Sequence, residues 1–438
     1  MSNSQLPQSP RPFASWQSML IGAQMLFVAF GALVLMPILT GLDPSVALFT
    51  AGVGTLLFHL VTKQSVPVFL ASSFVFIAPI TYGIQTWGVS ATTGALMVAG
   101  LVYIVLAALV KLRGPGFLHI IMPPVVVGPV IMVIGLGLAP IAVNMAMGKT
   151  GDGAIELVPY ADAMIVAMIS MAATILVAIF AKGLFHLLPI LTGVVVGYGS
   201  ALLMGMVDFS AMDSKAWFAV PAFVTPSFNW QAILFMIPVA IAPAIEHVGD
   251  VLAIGNVTKK DYVKEPGLHR TLFGDGIASS VAALFGGPPN TTYSEVTGAV
   301  MLTKVFNPWV MIWAAIFAVA LAFIGKIGAL LQTIPVPVMG GILILMFGSI
   351  TAVGLSTLIR AKINLSNQRN LVIISTTLVF GIGGMVVNIG ELSLQGISLC
   401  GLVAIILNLV LPNNQHKDND LHEEEEIIDE MLHPTPEK

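Results

Sequence analysis

Long apolar stretches, separated by Gly, Pro and short charged loops, fill almost the whole chain. Most of them approach the length of about 20 apolar residues that an α-helix needs to cross a bilayer. The pattern predicts fourteen membrane segments, over residues 17–40, 44–61, 66–81, 89–110, 120–146, 161–181, 185–206, 230–254, 267–286, 289–303, 307–325, 332–355, 369–386 and 392–411. We therefore expect an all-α polytopic membrane protein.

Two of these segments, 66–81 and 289–303, are short and unusually polar. Each has a hydroxyl-hydroxyl-aromatic triplet after a proline, namely Ser72-Ser73-Phe74 after Pro67 and Thr291-Thr292-Tyr293 after Pro289. A broken helix in lipid is costly unless its freed backbone groups face a cavity or a ligand, so we expect both segments to contribute to a substrate site. The alternative is that the hydroxyls only hydrogen-bond between helices as packing contacts.

The two triplets also indicate an internal repeat. Ser72 and Thr291 are 219 residues apart, and the similar motifs that begin at Pro123 and Pro335 are 212 residues apart. Fourteen segments would give seven in each half. Because seven is odd, the second half would be inserted upside down, so we expect a 7+7 inverted repeat.

Composition narrows the class of protein. Of 438 residues, 57% are hydrophobic and only 9% are charged, and the one cysteine, Cys400, lies in an apolar stretch. A water-facing surface needs about a quarter of its residues charged. The composition therefore excludes a soluble enzyme, a nucleic-acid binder and a disordered scaffold, and leaves a transporter, channel, receptor or intramembrane enzyme.

The distribution of charge predicts the orientation. With both termini inside, thirteen Lys and Arg residues fall on the inner side and three on the outer side. Basic residues accumulate in cytoplasmic loops, so we expect both termini to be cytoplasmic. We also expect the membrane to be the inner one. Residues 1–15 form a short polar tail in this prediction. Residues 412–438, with nine of the 22 acids, form an acidic cytoplasmic tail.

Few ionisable residues fall inside apolar segments. They are Glu246 and Asp250 with the neighbouring His247, and Asp275 and Glu295. Each costs several kcal/mol in order of magnitude at the bilayer centre and should face a cavity or a partner. Glu246 and Asp250 are four residues apart on one helix face, which disfavours joint ionisation and indicates a protonatable binding face. A purely structural hydrogen-bonded pair is the alternative, and Asp275 fits either role.

The ligand follows from these groups. Glu246 and Glu295 would accept N–H donors, Phe74 and Tyr293 would stack on a flat ring, and we expect no Lys or Arg near this pocket. A neutral pyrimidine or oxopurine base meets these conditions. A metal ion would need more oxygen ligands than we can assign, and we expect no cofactor.

The motifs then match a family. They resemble the nucleobase-ascorbate transporters, also called nucleobase:cation symporters of the second class, over all fourteen segments. The matching residues are Ala71-Ser72-Ser73-Phe74, Ala244-Ile245-Glu246-His247-Val248-Gly249, Pro288-Pro289-Asn290-Thr291-Thr292-Tyr293-Ser294-Glu295, Gln24 and Pro335-Val336-Pro337-Val338-Met339-Gly340-Gly341.

The resemblance implies an architecture. It implies a membrane domain over 16–411, with a core of residues 16–111 and 230–326 and a gate of residues 118–206 and 332–411. Short strands would lie in the third and tenth segments, and the core would move against the gate in a lipid-embedded homodimer. The activity implied is proton-coupled uptake of a small nucleobase, with the proton as coupling ion.

The resemblance also implies residue roles. Glu246 and Glu295 would bind the base, Phe74 and Ser294 would contribute backbone contacts, and Tyr293 would line the pocket. We expect Glu246, His247 and Asp250 to take part in proton coupling. An acid at position 295 resembles the uracil branch of the family, so uracil is the expected base. A xanthine or uric acid symporter is the alternative, and an anion exchanger of the same fold is a more distant one.

Overall fold

A computed structural model describes residues 16–114, 116–182, 186, 188–213, 215–389 and 392–412. Within these residues the chain forms seventeen α-helices and four short strands. The helices are α1 Trp16–Thr40, α2 Pro44–Val61, α3 Ile77–Arg113, α4 Gly116–Ile121, α5 Pro124–Ala146, α6 Tyr160–Phe180, α7 Pro189–Leu203, α8 Ser210–Asp213, α9 Trp230–Val239, α10 Ile241–Thr258, α11 Leu268–Leu284, α12 Ser294–Thr303, α13 Pro308–Ala322, α14 Gly325–Gln332, α15 Val336–Arg360, α16 Gln368–Ile382 and α17 Gly396–Val410. The strands are β1 Leu70–Ser72, β2 Asn290–Thr292, β3 Val386–Ile389 and β4 Leu392–Gln395.

Seven of the helices are long and apolar enough to cross a membrane, judged over the described ranges. They are α1, α2, α3 with the turn that precedes it, α5, α6, α9 together with α10, and α15. Four shorter apolar helices, α7, α13, α16 and α17, accompany them. The prediction of a helical, multi-pass membrane protein is confirmed at this level.

Local sequence explains where several helices begin. The Asp43 carboxylate accepts hydrogen bonds from the backbone N–H groups of Ser45 and Val46, and Pro44 occupies the first helical position of α2. The side chains of Asn229, Asn307 and Asn367 cap α9, α13 and α16 in the same way. An oxygen-bearing side chain at this position satisfies an N–H that has no partner inside the helix.

Proline and glycine coincide with two interruptions of the helices. The segment 230–254 is divided at Ala240 into α9 and α10, close to Pro238 and Pro243. In α3, Gly88 has φ of 82° and ψ of 169°, which breaks the helix between the segments predicted at 66–81 and 89–110. Glycine suits this conformation because it has no Cβ.

One pair of strands lies in the two segments that were predicted to be broken, and the other pair lies where helix was predicted. β1 and β2 lie in the short polar segments 66–81 and 289–303 and pair with each other in antiparallel register. The antiparallel pair of β3 and β4 was not predicted, since the segments 369–386 and 392–411 were expected to be helical up to these bounds. The residues of β3 and β4 are apolar enough to resemble the ends of the adjacent helices. They also include the β-branched residues Val386, Val387 and Ile389 and an alternating pattern over Leu392-Ser393-Leu394-Gln395, both of which favour strands.

The helices pack as two bundles. In the first bundle, α11 packs against α2 and α3, α13 packs against α1 and α2, and α9 packs against α3, with β1 and β2 between them. The helix α10 contacts α11 and α12 in the same bundle, and α12 also contacts α1. In the second bundle, α15 packs along α5 and also contacts α6 and α7, while α16 packs against α5 and α17. Contacts of α1 with α7, α9 with α17 and α10 with α5 join the two bundles.

Candidate functional site

The paired strands β1 and β2 bring the two polar triplets together. Leu70 pairs with Thr292 and Ser72 pairs with Asn290 across the antiparallel register. The backbone N–H of Ser73 also donates to the carbonyl of Pro289 at 3.0 Å. The two segments whose backbone groups were freed by proline therefore satisfy one another, as a buried polar backbone requires.

Hydroxyl and amide side chains from neighbouring helices hold the strands in place. Thr55 of α2 accepts a hydrogen bond from the backbone N–H of Leu70 at 2.9 Å. Ser279 of α11 donates to the carbonyl of Asn290 at 2.7 Å, and the Asn290 side-chain amide donates to the carbonyl of Thr50 at 3.0 Å. All of these groups are buried, so the strand pair is fixed rather than free to shift.

A cavity of about 360 Å³ lies beside the strand pair, where the first bundle faces the second. The first bundle lines it with Ser72, Ser73, Phe74, Val75, Ile245, Glu246, Gly249, Asp250, Ala253, Thr291, Tyr293 and Glu295. The second bundle lines it with Val127, Ile131 and Ile134 of α5 and Ser349, Ile350, Val353, Ser356, Thr357 and Arg360 of α15. The volume is in the range of small-molecule sites.

Three carboxylates converge on this cavity. Glu246 and Asp250 come from α10, one helical turn apart, and Glu295 comes from the first turn of α12. Glu246 is half-buried, Glu295 is exposed toward the cavity, and Asp250 is 6% exposed. Neither glutamate forms a salt bridge in the part of the chain that the structure describes. With no cationic partner, these carboxylate oxygens can also accept hydrogen bonds from a ligand.

A buried network connects Asp250 to the layer behind the cavity. The Thr292 hydroxyl donates to Asp250 Oδ2 at 3.0 Å and lies 3.3 Å from His247 Nδ1. His247 Nδ1 is 2.9 Å from Asp275 Oδ2, and both side chains are fully buried. Thr291 donates to the same oxygen of Asp275 at 3.1 Å. The strand β2 therefore connects two carboxylates and one imidazole through its threonine hydroxyls.

The predicted site residues are distributed as follows. Glu246, Glu295, Phe74, Tyr293 and Asp250 line the same cavity. His247 does not line it and faces Asp275 instead. The backbone of Ser294 begins α12, but its side chain lies outside the described part of the structure.

One expectation was wrong, because a basic side chain does line the cavity. Arg360, the last residue of α15, lies on its wall together with Ser349, Ser356 and Thr357. These four positions recur at a spacing that puts them on one face of a helix. That spacing in an otherwise apolar helix is the signal that could have identified them. Asp275 also proves to be connected to the site, through His247 and Thr291.

The groups that line the cavity suit a neutral polar ligand. Carboxylates accept N–H bonds, the Phe74 and Tyr293 rings offer apolar surface, and the Arg360 guanidinium only donates. Within the described ranges, no group of three or more His, Cys, Asp and Glu side chains is arranged to hold a metal ion.

Comparison with known sequences gives a consistent family. Residues 16–390 match the model of the Permease family (Xan_ur_permease). The chain is 58% identical to a probable uracil permease of Haemophilus influenzae, over 94% of this chain and 99% of that protein. It is 44% identical to the uracil permease of Bacillus subtilis, over 95% and 97% of the two chains. For the uracil permease of Escherichia coli K12 the identity is 38%, over 90% and 91%.

Comparison with solved structures identifies the fold. The transmembrane domain of the cyanobacterial bicarbonate transporter BicA superimposes with a TM-score of 0.65 at 17% identity, covering 91% of this chain and 98% of that one. Murine SLC26A9, an anion transporter in an inward-facing state, superimposes with a TM-score of 0.67 at 11% identity, covering 90% and 67%. At these identities the likeness concerns the fold alone.

Proposed function

Because this chain belongs to the Permease family (Xan_ur_permease) and is a transporter rather than an enzyme, we propose that it takes up uracil together with a proton. The observation that carries this proposal is the convergence of Glu246, Asp250 and Glu295 on one cavity beside the broken segments. Uracil has two ring N–H donors and two carbonyl acceptors. Carboxylates bind the N–H groups well, and backbone N–H groups near β1 and β2 can serve a carbonyl.

The relatives support uracil as the base. Proteins named uracil permease are similar to this chain over nearly its whole length, at 38% to 58% identity. Uracil is small enough for a cavity of about 360 Å³ with room for water. In the proposed complex Glu246 and Glu295 accept the base's N–H groups, Phe74 and Tyr293 pack on its ring, and the Phe74 and Ser294 backbone positions contribute hydrogen bonds.

We propose further that fourteen segments form an inverted repeat. The helix contacts support it, because they occur in matching pairs seven segments apart. The contact of α6 with α7 matches that of α16 with α17, α6 with α15 matches α16 with α5, and α2 with α13 matches α11 with α3. Antiparallel pairing of β1 with β2 is also what two inverted halves would give.

In this proposal the first bundle is the core domain and the second is the gate. The cavity extends along α15 from Ser349 to its last residue, Arg360, and along α5 from Val127, near its start. It therefore reaches the face where α15 ends and α5 begins. That face also has Lys111 and Arg113 at the end of α3. Basic residues mark the cytoplasmic side, so the cavity would open inward, with both termini cytoplasmic and the chain in the inner membrane.

The buried network supports a site for the coupled proton. Asp250, His247 and Asp275 are connected through Thr292 and Thr291, and Glu246 lies one turn from Asp250. Protonating one carboxylate would lower the cost of moving this site across the membrane. Proton and base would then each favour binding of the other, which is the thermodynamic requirement for symport. Function as a homodimer is part of the same proposal.

Uptake into proteoliposomes tests this function. With purified protein and an inward proton gradient, labelled uracil should accumulate above its equilibrium concentration. This accumulation should be lost when a protonophore is added. Unlabelled uracil should compete better than xanthine or uric acid, and bicarbonate and chloride should not compete. Accumulation of xanthine in preference to uracil would support the purine alternative instead. Absence of any base uptake would contradict the proposal.

A further inference from the structure

The two helices that close the cavity on the gate side differ sharply in polarity. From α5, Val127, Ile131 and Ile134 present only apolar side chains. From α15, the residues Ser349, Ser356, Thr357 and Arg360 form a polar stripe from the middle of the helix to its last residue. A polar stripe facing a cavity in a membrane helix indicates a path for a polar ligand.

Arg360 lies at one end of that stripe. Ser349 and Arg360 are eleven residues apart, which at the α-helical rise of 1.5 Å per residue gives about 16 Å. The Arg360 side chain is exposed and forms no salt bridge with a described residue. Ser349 and Thr357, in contrast, donate their hydroxyl hydrogens to carbonyls of their own helix. Arg360 is therefore the strongest donor on the gate side of the cavity.

The two ends of the cavity have complementary chemistry toward a nucleobase. The carboxylates of Glu246 and Glu295 only accept hydrogen bonds when ionised, and the Arg360 guanidinium only donates them. A flat base with N–H groups and carbonyl oxygens can use the first set through its N–H groups and the second through its carbonyls. The guanidinium plane also stacks on flat rings.

From this arrangement, and resting on the proposed function, we infer that Arg360 forms a second binding station for uracil at the mouth of the cavity. The base leaving the carboxylates of α10 and α12 would donate to the hydroxyl oxygens of α15 and then accept from Arg360 before reaching bulk water. Arg360 thus sets the affinity for uracil on its own side of the membrane. It does not contribute to capture from the opposite side.

Orientation-resolved transport tests this station. Wild-type protein and the Arg360→Gln, Arg360→Lys and Lys362→Gln variants are reconstituted with one orientation, and the KM for labelled uracil is measured from each face. Hydrogen bonds from a charged donor are strong, so Arg360→Gln should raise the KM on the Arg360 face by about tenfold. The KM on the opposite face should change by less than about twofold.

Arg360→Lys should recover part of the lost affinity, because an ammonium still donates. Lys362→Gln, which removes a nearby exposed charge outside the cavity, should resemble the wild type on both faces.

Thio-substituted bases make the test specific for the carbonyl contact. Sulfur accepts hydrogen bonds weakly, so in 2-thiouracil or 4-thiouracil, whichever lacks the contacting carbonyl, the effect of Arg360→Gln should shrink to less than about threefold. Equal KM values for wild type and Arg360→Gln on both faces, or an equal rise on both, would overturn the station while leaving the proposed function intact. Failure of the wild type to carry uracil would refute both.

Discussion

At the scale of single residues, the site could be predicted where a charged side chain is costly to place inside the membrane. Glu246, Asp250 and Glu295 are carboxylates inside apolar segments, and that rarity alone indicated a cavity. The charge of Arg360 gave no such signal, since this residue ends its helix where basic residues are ordinary, and only its spacing from Ser349 and Ser356 could have indicated it. The partner of His247 could not be predicted either, because Asp275 lies on a different helix and only tertiary packing brings it within 2.9 Å.

Asp250 allows binding and coupling to be separated. It contacts Thr292 at 3.0 Å and is more deeply buried than the two glutamates, which places it between the cavity and the network behind it. We expect Asp250→Asn to reduce proton-driven uptake by about tenfold or more, while equilibrium uracil binding changes by less than about threefold. Parallel assays of gradient-driven uptake and of binding to detergent-solubilised protein check this division.

The exposed Asp152 offers a matched control, since Asp152→Asn removes the same charge far from the cavity and should leave both assays unchanged. Equal losses of uptake and binding in Asp250→Asn would instead make it a direct ligand of the base.

At the scale of elements, hydropathy located the apolar helices, seven of which are long enough to cross lipid within the described ranges. The paired strands were harder to predict. Proline and hydroxyl triplets indicated that two segments are broken, but the register of β1 on β2 depends on hydrogen bonds from Thr55 and Ser279, which sequence spacing does not reveal. The pair of β3 and β4 was missed because its residues continue the apolar composition of the adjacent helices.

The crossing of α15 with α5 depends on glycine. A Cβ at Gly354 would lie 2.6 Å from the backbone oxygen of Gly128, whereas a Cβ at Gly348 of the same helix would meet nothing within 4 Å. Gly354→Ala should therefore destabilise the protein by about 1–3 kcal/mol through overpacking. Gly348→Ala should be neutral or stabilising by up to about 1 kcal/mol, since alanine favours helices.

Thermal unfolding of the purified protein, followed by intrinsic fluorescence in one detergent, compares the two alanine variants directly. A lower midpoint for Gly354→Ala with an unchanged or higher midpoint for Gly348→Ala is expected. Equal midpoints would show that α15 and α5 can move apart at this crossing without loss of stability.

At the scale of the whole molecule, the site exists only because distant parts of the chain meet. Strands more than 200 residues apart pair beside the cavity, and the cavity itself lies between the two bundles. The resemblance between the two hydroxyl-hydroxyl-aromatic triplets was weak, yet it indicated that the segments 66–81 and 289–303 should meet. It could not indicate on which side the cavity opens, since that depends on how the two bundles are positioned in the observed conformation.

Thiol labelling tests the opening of the cavity. Ala253 lines it and is exposed, whereas the native Cys400 is fully buried and should not react. In Ala253→Cys, a membrane-impermeant maleimide should react from the face of Arg360 and not from the other, and uracil should slow the reaction. The wild-type protein provides the unlabelled control. Reaction from the opposite face alone would contradict the proposed inward opening.

The most direct test of the central claim is equilibrium binding of uracil to purified protein in which one cavity carboxylate is changed. The claim is that Glu246 of α10 and Glu295 of α12 hold the same base. Glu246→Gln and Glu295→Gln should each weaken binding by about tenfold or more, because each loses a charge-assisted hydrogen bond. Glu156→Gln, at an exposed position outside the cavity, should bind as tightly as the wild type. Wild-type affinity in both cavity variants would contradict the account.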